Sequence, residues 1–202
     1  MSEPARPSAI RSLVLAGGTS SRMGEDKALL RYHARPQVRW LAELMAGVAP
    51  PVSVSARRGQ ARHPGFAGLD VLCDQVEGIG PLAGLLAAFD RDPDSAWLVA
   101  AVDMPWLTRG TLEKLVRSRD PAMHATAYRN PWTGKPEPTC AIYEPRILGA
   151  LTQARDTRHY SLMLLCDVPV ALVEPDNKRE IQGINSQEEY RALRRQEPGS
   201  NL

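Results

Sequence analysis

The residues most suited to chemistry lie between Leu15 and Leu30, where the sequence reads LAGGTSSRMGEDKALL. Gly17 and Gly18 open this stretch, and Arg22 and Lys27 follow shortly after them. Glycines let a backbone approach a ligand closely, main-chain N–H groups bind phosphate oxygens, and cationic side chains neutralise their charge. The stretch therefore predicts a polyphosphate-binding loop. An ordinary turn between a strand and a helix is the alternative, and Arg22 and Lys27 argue against it.

A second candidate is Asp103, which directly follows the apolar run AWLVAAV over residues 96–102. A carboxylate at the end of a buried strand is costly unless a cation compensates its charge. Mg²⁺ is commonly held by one or two carboxylates together with phosphate oxygens. A helix-capping aspartate is the alternative, and the residues alone leave both interpretations open.

Both candidates follow predicted strands, and strands alternate with helices along the chain. This alternation predicts an α/β fold, a three-layer α/β/α sandwich around a mostly parallel sheet. Residues 57–69, rich in glycine and arginine, are predicted to form a surface loop, and 181–184 a short extended piece. Strands are predicted over 10–16, 52–55, 71–73, 96–102, 122–128, 139–143 and 170–173, and helices start near Pro36, Gly80, Thr108, Glu144, Tyr160 and Ser186.

Polar or glycine residues lie at the ends of four of these strands. They are Gly17 and Gly18 after the first strand, Ser55 at the end of the second, Asp74 after the third and Asp103 after the fourth. Ligands of open α/β sheets bind outside the C-terminal ends of the strands. If the strands are parallel, these four groups converge at one edge of the sheet.

The bulk composition limits the classes of partner. The 202 residues carry a net charge of +2, which is too small to indicate binding to nucleic acid or to a membrane surface through overall electrostatic attraction. No apolar run reaches membrane length, and the N-terminus lacks the apolar core of a signal peptide. The three cysteines form no CxxC pair, which predicts free thiols in a cytoplasmic protein. The length suits one domain over 10–193, with a flexible N-terminus (1–9) and a loose C-terminal tail (194–202).

LAGGTSSRMGEDKALL resembles the signature LAGGxSxRMGxDKxxL of the MobA-like nucleotidyltransferases. GPLAGLLAAF, AVDMP and INSQEEY match later landmarks of that family in order, so the resemblance covers about residues 10–193. It implies a single nucleotidyltransferase domain of the Rossmann-like, nucleotide-diphospho-sugar transferase type. The implied reaction joins GMP from GTP to molybdopterin and releases pyrophosphate, with Mg²⁺ as cofactor. Proteins of molybdoenzyme maturation are candidate partners.

The resemblance also implies roles on the donor side of the reaction. Arg22 and Lys27 would hold the β- and γ-phosphates and, with Asp103 as the Mg²⁺ ligand, would form the catalytic set. Ser55 stands where the family commonly has an asparagine near the nucleotide, and Asp74 matches an acidic residue near the ribose or base. Backbone groups would bind the nucleotide at Leu15, Ala16, Gly17 and Gly18.

The acceptor side is less defined. Asn185 matches a family asparagine near the active site, and the segment 135–145 resembles one near the acceptor, with Lys135 and Thr139 as possible contacts. Relatives that use CTP usually lack the aspartate before the loop lysine, so Asp26 favours GTP. Transfer from CTP, a phosphorylated-sugar acceptor and a non-catalytic GTP-binding role remain the alternatives.

Overall fold

A computed structural model of the protein describes residues 8–17, 26–74, 78–184, 186 and 188–191. Its sheet has seven strands in the order β3-β2-β1-β4-β6-β5-β7. The strands are β1 (Ile10–Leu15), β2 (Val52–Ala56), β3 (Asp70–Cys73), β4 (Ala96–Ala101), β5 (Ala125–Arg129), β6 (Pro136–Tyr143) and β7 (Val170–Val173).

The described part of the chain contains five α-helices, short 3-10 helices and a last helical stretch over residues 188–191. The α-helices are α1 (Gln37–Ala46), α2 (Arg58–Ala61), α3 (Pro81–Arg91), α4 (Arg109–Arg117) and α5 (Leu148–Asp156). The 3-10 helices are Lys27–Leu29, Pro64–Phe66, Pro145–Ile147, Leu162–Cys166 and Lys178–Ile181. None of the described helices has both the length and the apolar character needed to cross a lipid bilayer.

The helices cover both faces of the sheet, which confirms the predicted three-layer sandwich. Alternate strand residues point to opposite faces because successive side chains in a strand do so. Val14 and Leu98 belong to the core beneath α1 and α4, whereas Leu13 and Val99 belong to the core beneath α3 and α5. All six residues of β4 are buried, as expected for a central strand covered on both sides.

The sheet is mostly parallel, as predicted. Strands β3, β2, β1 and β4 pair in parallel, and β5 pairs in parallel with β7. Strand β6 runs antiparallel to both of its neighbours, β4 and β5. The C-terminal ends of β1 to β4 therefore share one edge, where polar groups were predicted to converge.

Two local predictions need correction. Residues 57–69 are not simply a surface loop: they contain α2 and a 3-10 helix, and Gln60 and Phe66 are buried. The extended piece predicted over 181–184 starts one residue later, because Ile181 ends a 3-10 helix and Gln182 has extended backbone. Glycine, proline and arginine suggested exposure in the first segment, but contacts distant in sequence bury part of it.

Other predictions about the ends of elements are confirmed or fall outside the described residues. Thr108 caps α4 through a hydrogen bond from Thr111 N. The capping box of the final helix is present, because Ser186 N donates to Glu189 Oε2 and Glu189 N donates to Ser186 Oγ. Most of the predicted flexible N-terminus (residues 1–7) and the predicted tail (194–202) lie outside the described residues.

Candidate active site

A cavity of about 170 Å³, the first cavity, opens at the shared edge of the parallel strands. Residues with small or aliphatic side chains form much of its wall, and Lys27 and Asp103 bring charges of opposite sign to it. Its other lining residues come from the strand ends, from the start of α3 and from β6: Leu15, Ala16, Gly17, Ser55, Gly80, Pro81, Ala101, Val102 and Thr139.

Lys27 and Asp103 form an ion pair in the wall of this cavity. Lys27 Nζ lies 3.8 Å from Asp103 Oδ2, and the two side chains are 18% and 25% exposed. The main chain of Ile184 holds both residues: its carbonyl accepts a 2.7 Å hydrogen bond from Lys27 Nζ, and its N–H donates a 2.8 Å bond to the Asp103 carbonyl. The C-terminal segment is thus part of the site.

Asp103 fits a cation better than the alternative role of a helix cap. The cap of the following helix is Thr108, and Asp103 Oδ1 is buried with no hydrogen-bond partner among the described residues. Burial raises the pKa of the Asp103 carboxyl, the Lys27 ammonium opposes that rise, and the Glu137 carboxylate adds to it. A buried carboxylate oxygen without a hydrogen bond is costly, and a bound cation would remove that cost.

Ser55 and Asp74 form a buried pair beside the first cavity. Ser55 Oγ donates a 2.8 Å hydrogen bond to Asp74 Oδ1. A Cβ atom on Gly17 would lie 2.6 Å from Asp74 Oδ2, and one on Gly84 would lie 2.7 Å from Ser55 Cβ. The glycines therefore allow the ends of β1 and α3 to close around this pair.

A second cavity, of about 390 Å³, adjoins the first. Asp103 and Thr139 line both. The remaining wall comes from three places. Met104 follows Asp103, the β5–β6 hairpin supplies Asn130, Trp132 and Glu137, and the C-terminal segment supplies Ile181, Gln182 and Gly183.

Hydrogen bonds order the hairpin side of the second cavity. The Glu137 carboxylate accepts from Asn130 Nδ2 at 2.9 Å and from Thr139 Oγ1 at 2.6 Å. Asn130 Oδ1 accepts from the main-chain N–H groups of Trp132 and Thr133, which fixes the turn at the tip. Trp132 is held there with 57% of its surface exposed.

Tyr32 is a further polar group close to the site. Its phenol oxygen is buried without a hydrogen-bond partner among the described residues, and its ring meets Tyr190 edge-on at 5.2 Å. Burial raises the pKa of the phenol, and the neighbouring Tyr190, Asp103 and Glu189 raise it further. Tyr32 is therefore neutral at physiological pH and keeps its proton as a hydrogen-bond donor.

The structure brings most of the predicted site residues together. Leu15, Ala16, Gly17, Lys27, Ser55 and Asp103 line the first cavity, and Asp74 lies against Ser55. Thr139 lines both cavities, whereas the side chain of Lys135 is exposed and lines neither. Gly18, Arg22 and Asn185 lie outside the described residues.

Sequence reasoning missed Gln60, Trp132 and Glu137. Gln60 stood in a segment whose composition suggested a surface loop, although a lone glutamine there gives no signal of burial. A tryptophan in a turn-rich segment was a usable signal, because large aromatic side chains are uncommon at solvent-exposed turns. Nothing in the sequence near Glu137 showed that it would face Asp103.

The fold and the site define an α/β protein with a cavity at the C-terminal ends of parallel strands, where a lysine ammonium lies next to a carboxylate suited to a cation. The family model of the MobA-like NTP transferase domain matches residues 12–170, and the chain belongs to this family. The resemblance noted in the sequence is thereby confirmed.

Two curated relatives illustrate the similarity. The chain is 36% identical over 179 residues to a molybdenum cofactor biosynthesis bifunctional protein of Synechocystis sp., covering 88% of this chain and 52% of that protein. It is 43% identical over 107 residues to a molybdenum cofactor guanylyltransferase of Xanthomonas euvesicatoria, covering 52% of each. The alignments thus span about half the length of both relatives.

Solved structures share the fold. A molybdopterin-guanine dinucleotide biosynthesis protein A from Archaeoglobus fulgidus superposes with a TM-score of 0.72 at 20% identity, covering 91% of this chain and 96% of that one. A Mycobacterium tuberculosis protein, solved as a complex with manganese, superposes with a TM-score of 0.65 at 18% identity, covering 92% and 98%. At these identities the likeness concerns the fold.

Proposed function

We propose that this protein transfers GMP from GTP to the terminal phosphate of molybdopterin and releases pyrophosphate. The observation that carries the proposal is the placement of Lys27 Nζ 3.8 Å from Asp103 Oδ2, where the first cavity meets the second. A cation and a carboxylate at the junction of two cavities suit a reaction that joins two phosphate-bearing substrates. The names of curated relatives support molybdopterin as the acceptor.

GTP occupies the first cavity. Its phosphates lie against the main chain after β1 and against the Lys27 ammonium. Main-chain N–H groups donate hydrogen bonds to the phosphate oxygens, and the ammonium neutralises their negative charge. Ser55 and Asp74 lie on the side of the ribose and base, as the family resemblance implies. The Asp74 carboxylate can accept hydrogen bonds from ribose hydroxyls or from the N–H groups of guanine.

The transfer itself needs little covalent help from the protein. An oxygen of the acceptor phosphate forms a bond to the α-phosphorus, the bond from that phosphorus to the bridging oxygen breaks, and pyrophosphate leaves with the electron pair. The acceptor phosphate is ionised at neutral pH, so no side chain has to remove a proton. Lys27 stabilises the charge that develops on the leaving pyrophosphate, and positioning supplies the rest.

A divalent cation, which we propose to be Mg²⁺, fits at Asp103. The buried Asp103 Oδ1, which has no partner among the described residues, is the group that would hold it. When bound, the cation would neutralise charge on the phosphates. The manganese complex of the M. tuberculosis protein is in keeping with a divalent metal in this fold.

The acceptor binds in the second cavity. This cavity shares Asp103 and Thr139 with the first, so an acceptor phosphate at the junction can reach the α-phosphorus. The Asn130–Glu137 pair offers hydrogen-bonding groups of the kind that a pterin ring needs, and Trp132 offers a flat face for stacking.

The test is a competition between nucleotides. Purified protein is incubated with molybdopterin, Mg²⁺ and equal concentrations of GTP and CTP, and the dinucleotide product is identified by mass spectrometry. We expect the guanine dinucleotide. A cytosine dinucleotide would overturn the choice of base, and consumption of neither nucleotide would overturn molybdopterin as the acceptor.

A variant tests the role of Lys27 in the same assay. Lys27→Ala should lower the rate of transfer by about a hundredfold to a thousandfold, because it removes a charge that stabilises the leaving group. Lys178→Ala, at an exposed lysine, is the matched control and should retain full activity. Equal rates for the two variants would contradict the phosphate role of Lys27.

A further inference from the structure

Gln60 lies in α2 with only 8% of its surface exposed, and every hydrogen-bonding group of its carboxamide is used. Its Nε2 donates to the Ala16 carbonyl at 2.8 Å and to Asp26 Oδ1 at 3.0 Å. Its Oε1 accepts from the main-chain N–H of Arg57 at 3.3 Å. Only an amide supplies two donors and an acceptor in this geometry.

These contacts join two points that are far apart along the chain. Ala16 follows β1 and is bound to β2 through a hydrogen bond from its N–H to the Ser55 carbonyl. Asp26 immediately precedes Lys27, and its Oδ1 also accepts from Ala28 N, which caps the 3-10 helix that carries Lys27. The carboxamide thus ties the base of the lysine-bearing helix to the sheet edge that forms the first cavity.

We propose that Gln60 is a positioning residue for the phosphate-binding lysine. By holding Asp26 against the end of β1, it sets where the 3-10 helix begins and hence where the Lys27 ammonium lies relative to Asp103. This inference rests on the proposed function for the role of Lys27 in transfer. It also assigns Asp26 a structural task, because its Oδ1 is engaged by Gln60 and Ala28.

A purely structural role for Gln60 makes a different prediction. Loss of a buried hydrogen bond would then lower the stability of the fold and leave Lys27 equally well held in the molecules that remain folded. A positioning role requires that Lys27 changes while the fold persists. The reactivity of the Lys27 amine measures this difference without any substrate.

The first experiment labels lysines in the native protein with a trace of an N-hydroxysuccinimide ester, and peptide mass spectrometry gives the ratio of Lys27 to Lys178 labelling. Lys178 is exposed and serves as the internal reference. Gln60→Leu keeps the side-chain volume and removes the hydrogen bonds, and Gln153→Leu, at an exposed glutamine, is the matched control. We expect Lys27 labelling to rise severalfold in Gln60→Leu only, with a cooperative unfolding transition retained.

The second experiment measures transfer. Gln60→Leu should lower kcat/KM for GTP by about tenfold, the scale of a lost hydrogen bond to a charged group, mainly through kcat because Lys27 acts on the leaving group. Gln60→Glu should be at least as damaging, because a second carboxylate would then face Asp26. In the double variant with Gln60→Glu and Asp26→Asn, the new amide at position 26 can donate to the new carboxylate at position 60. Part of the lost kcat should therefore return.

The outcomes separate this inference from the proposed function. Raised Lys27 labelling in Gln60→Leu supports the positioning role, even if the protein proves to use another nucleotide or acceptor. Unchanged labelling in a folded Gln60→Leu protein overturns it, even if guanylyl transfer is found. If Gln60→Leu does not fold, the Gln60→Glu and Asp26→Asn series decides: a double variant with no more activity than Gln60→Glu alone overturns the inference.

Discussion

The two cavities that meet at Asp103 are built in different ways. The first is formed largely by small and aliphatic residues at the ends of parallel strands, whereas the second is lined mainly by residues of the antiparallel hairpin and the C-terminal segment. Small residues let a ligand approach the main-chain N–H groups, which bind the phosphate groups that every nucleoside triphosphate shares. Side-chain walls suit the discrimination of one acceptor from another. Under the proposed function, donor binding would depend on features of the fold, and acceptor choice would depend on the particular side chains placed on it.

The largest effect is expected at the junction, because Asp103 serves both cavities. Asp103→Asn keeps the size of the side chain and removes the charge that holds a cation, so Mg²⁺-dependent transfer should fall by about a hundredfold to a thousandfold. Steady-state kinetics across a range of Mg²⁺ concentrations checks this. Asp167→Asn, at an exposed aspartate, is the control. Full activity of Asp103→Asn would place the metal elsewhere.

An intermediate effect, confined to the donor side, is expected from Gly84→Ala. The new Cβ would contact Ser55 Oγ and lie 2.8 Å from Leu15 Cδ2, so both must move, and such overpacking costs about 1–3 kcal/mol. KM for GTP should rise about tenfold, while KM for the acceptor stays the same. Gly149→Ala, in α5 with open space around its Cβ position, is the matched control and should change neither constant. A change in the KM for the acceptor alone would contradict the assignment of GTP to the first cavity and of the acceptor to the second.

The smallest effect, confined to the acceptor side, is expected from Trp132→Ala. Stacking on an aromatic ring contributes about 0.5–1.5 kcal/mol, so KM for molybdopterin should rise about fivefold with KM for GTP unchanged. Trp132→Phe keeps an aromatic face and should recover part of the loss. If Trp132→Ala instead weakens GTP binding, the second cavity does not hold the acceptor.

Much of the donor side could be predicted from the sequence because its signals are local. Gly17, Ser55, Asp74 and Asp103 each lie at or just after the end of a strand, and parallel pairing brings strand ends together. Lys27 was found through the glycine-rich stretch that precedes it. On the acceptor side only the family resemblance gave a signal, at the segment 135–145 and at Asn185. That side joins β6, the one strand of the described sheet that runs against its neighbours, to residues 181–183, at the end of a 3-10 helix.

Gln60 and Ile184 show the limit of local reasoning most clearly. Gln60 is buried because its carboxamide meets Ala16 and Asp26, which are distant in sequence. Ile184 binds Lys27 and Asp103 through its main chain, and a main-chain contact leaves no trace in the identity of a residue. Partners of this kind become visible only when the chain has folded.

By itself the sequence determined the α/β class, the glycine-rich stretch before Lys27 and the carboxylate after the central strand. These follow from hydrophobic periodicity and from residue types at strand ends, which act over a few residues. Only the tertiary structure decided that Lys27 and Asp103 lie 3.8 Å apart, that the Ile184 main chain binds both, that Gln60 binds the neighbouring Asp26, and that a second cavity opens beside them. The physical reason is that these features depend on contacts between segments whose proximity is created by the packing of the whole sheet.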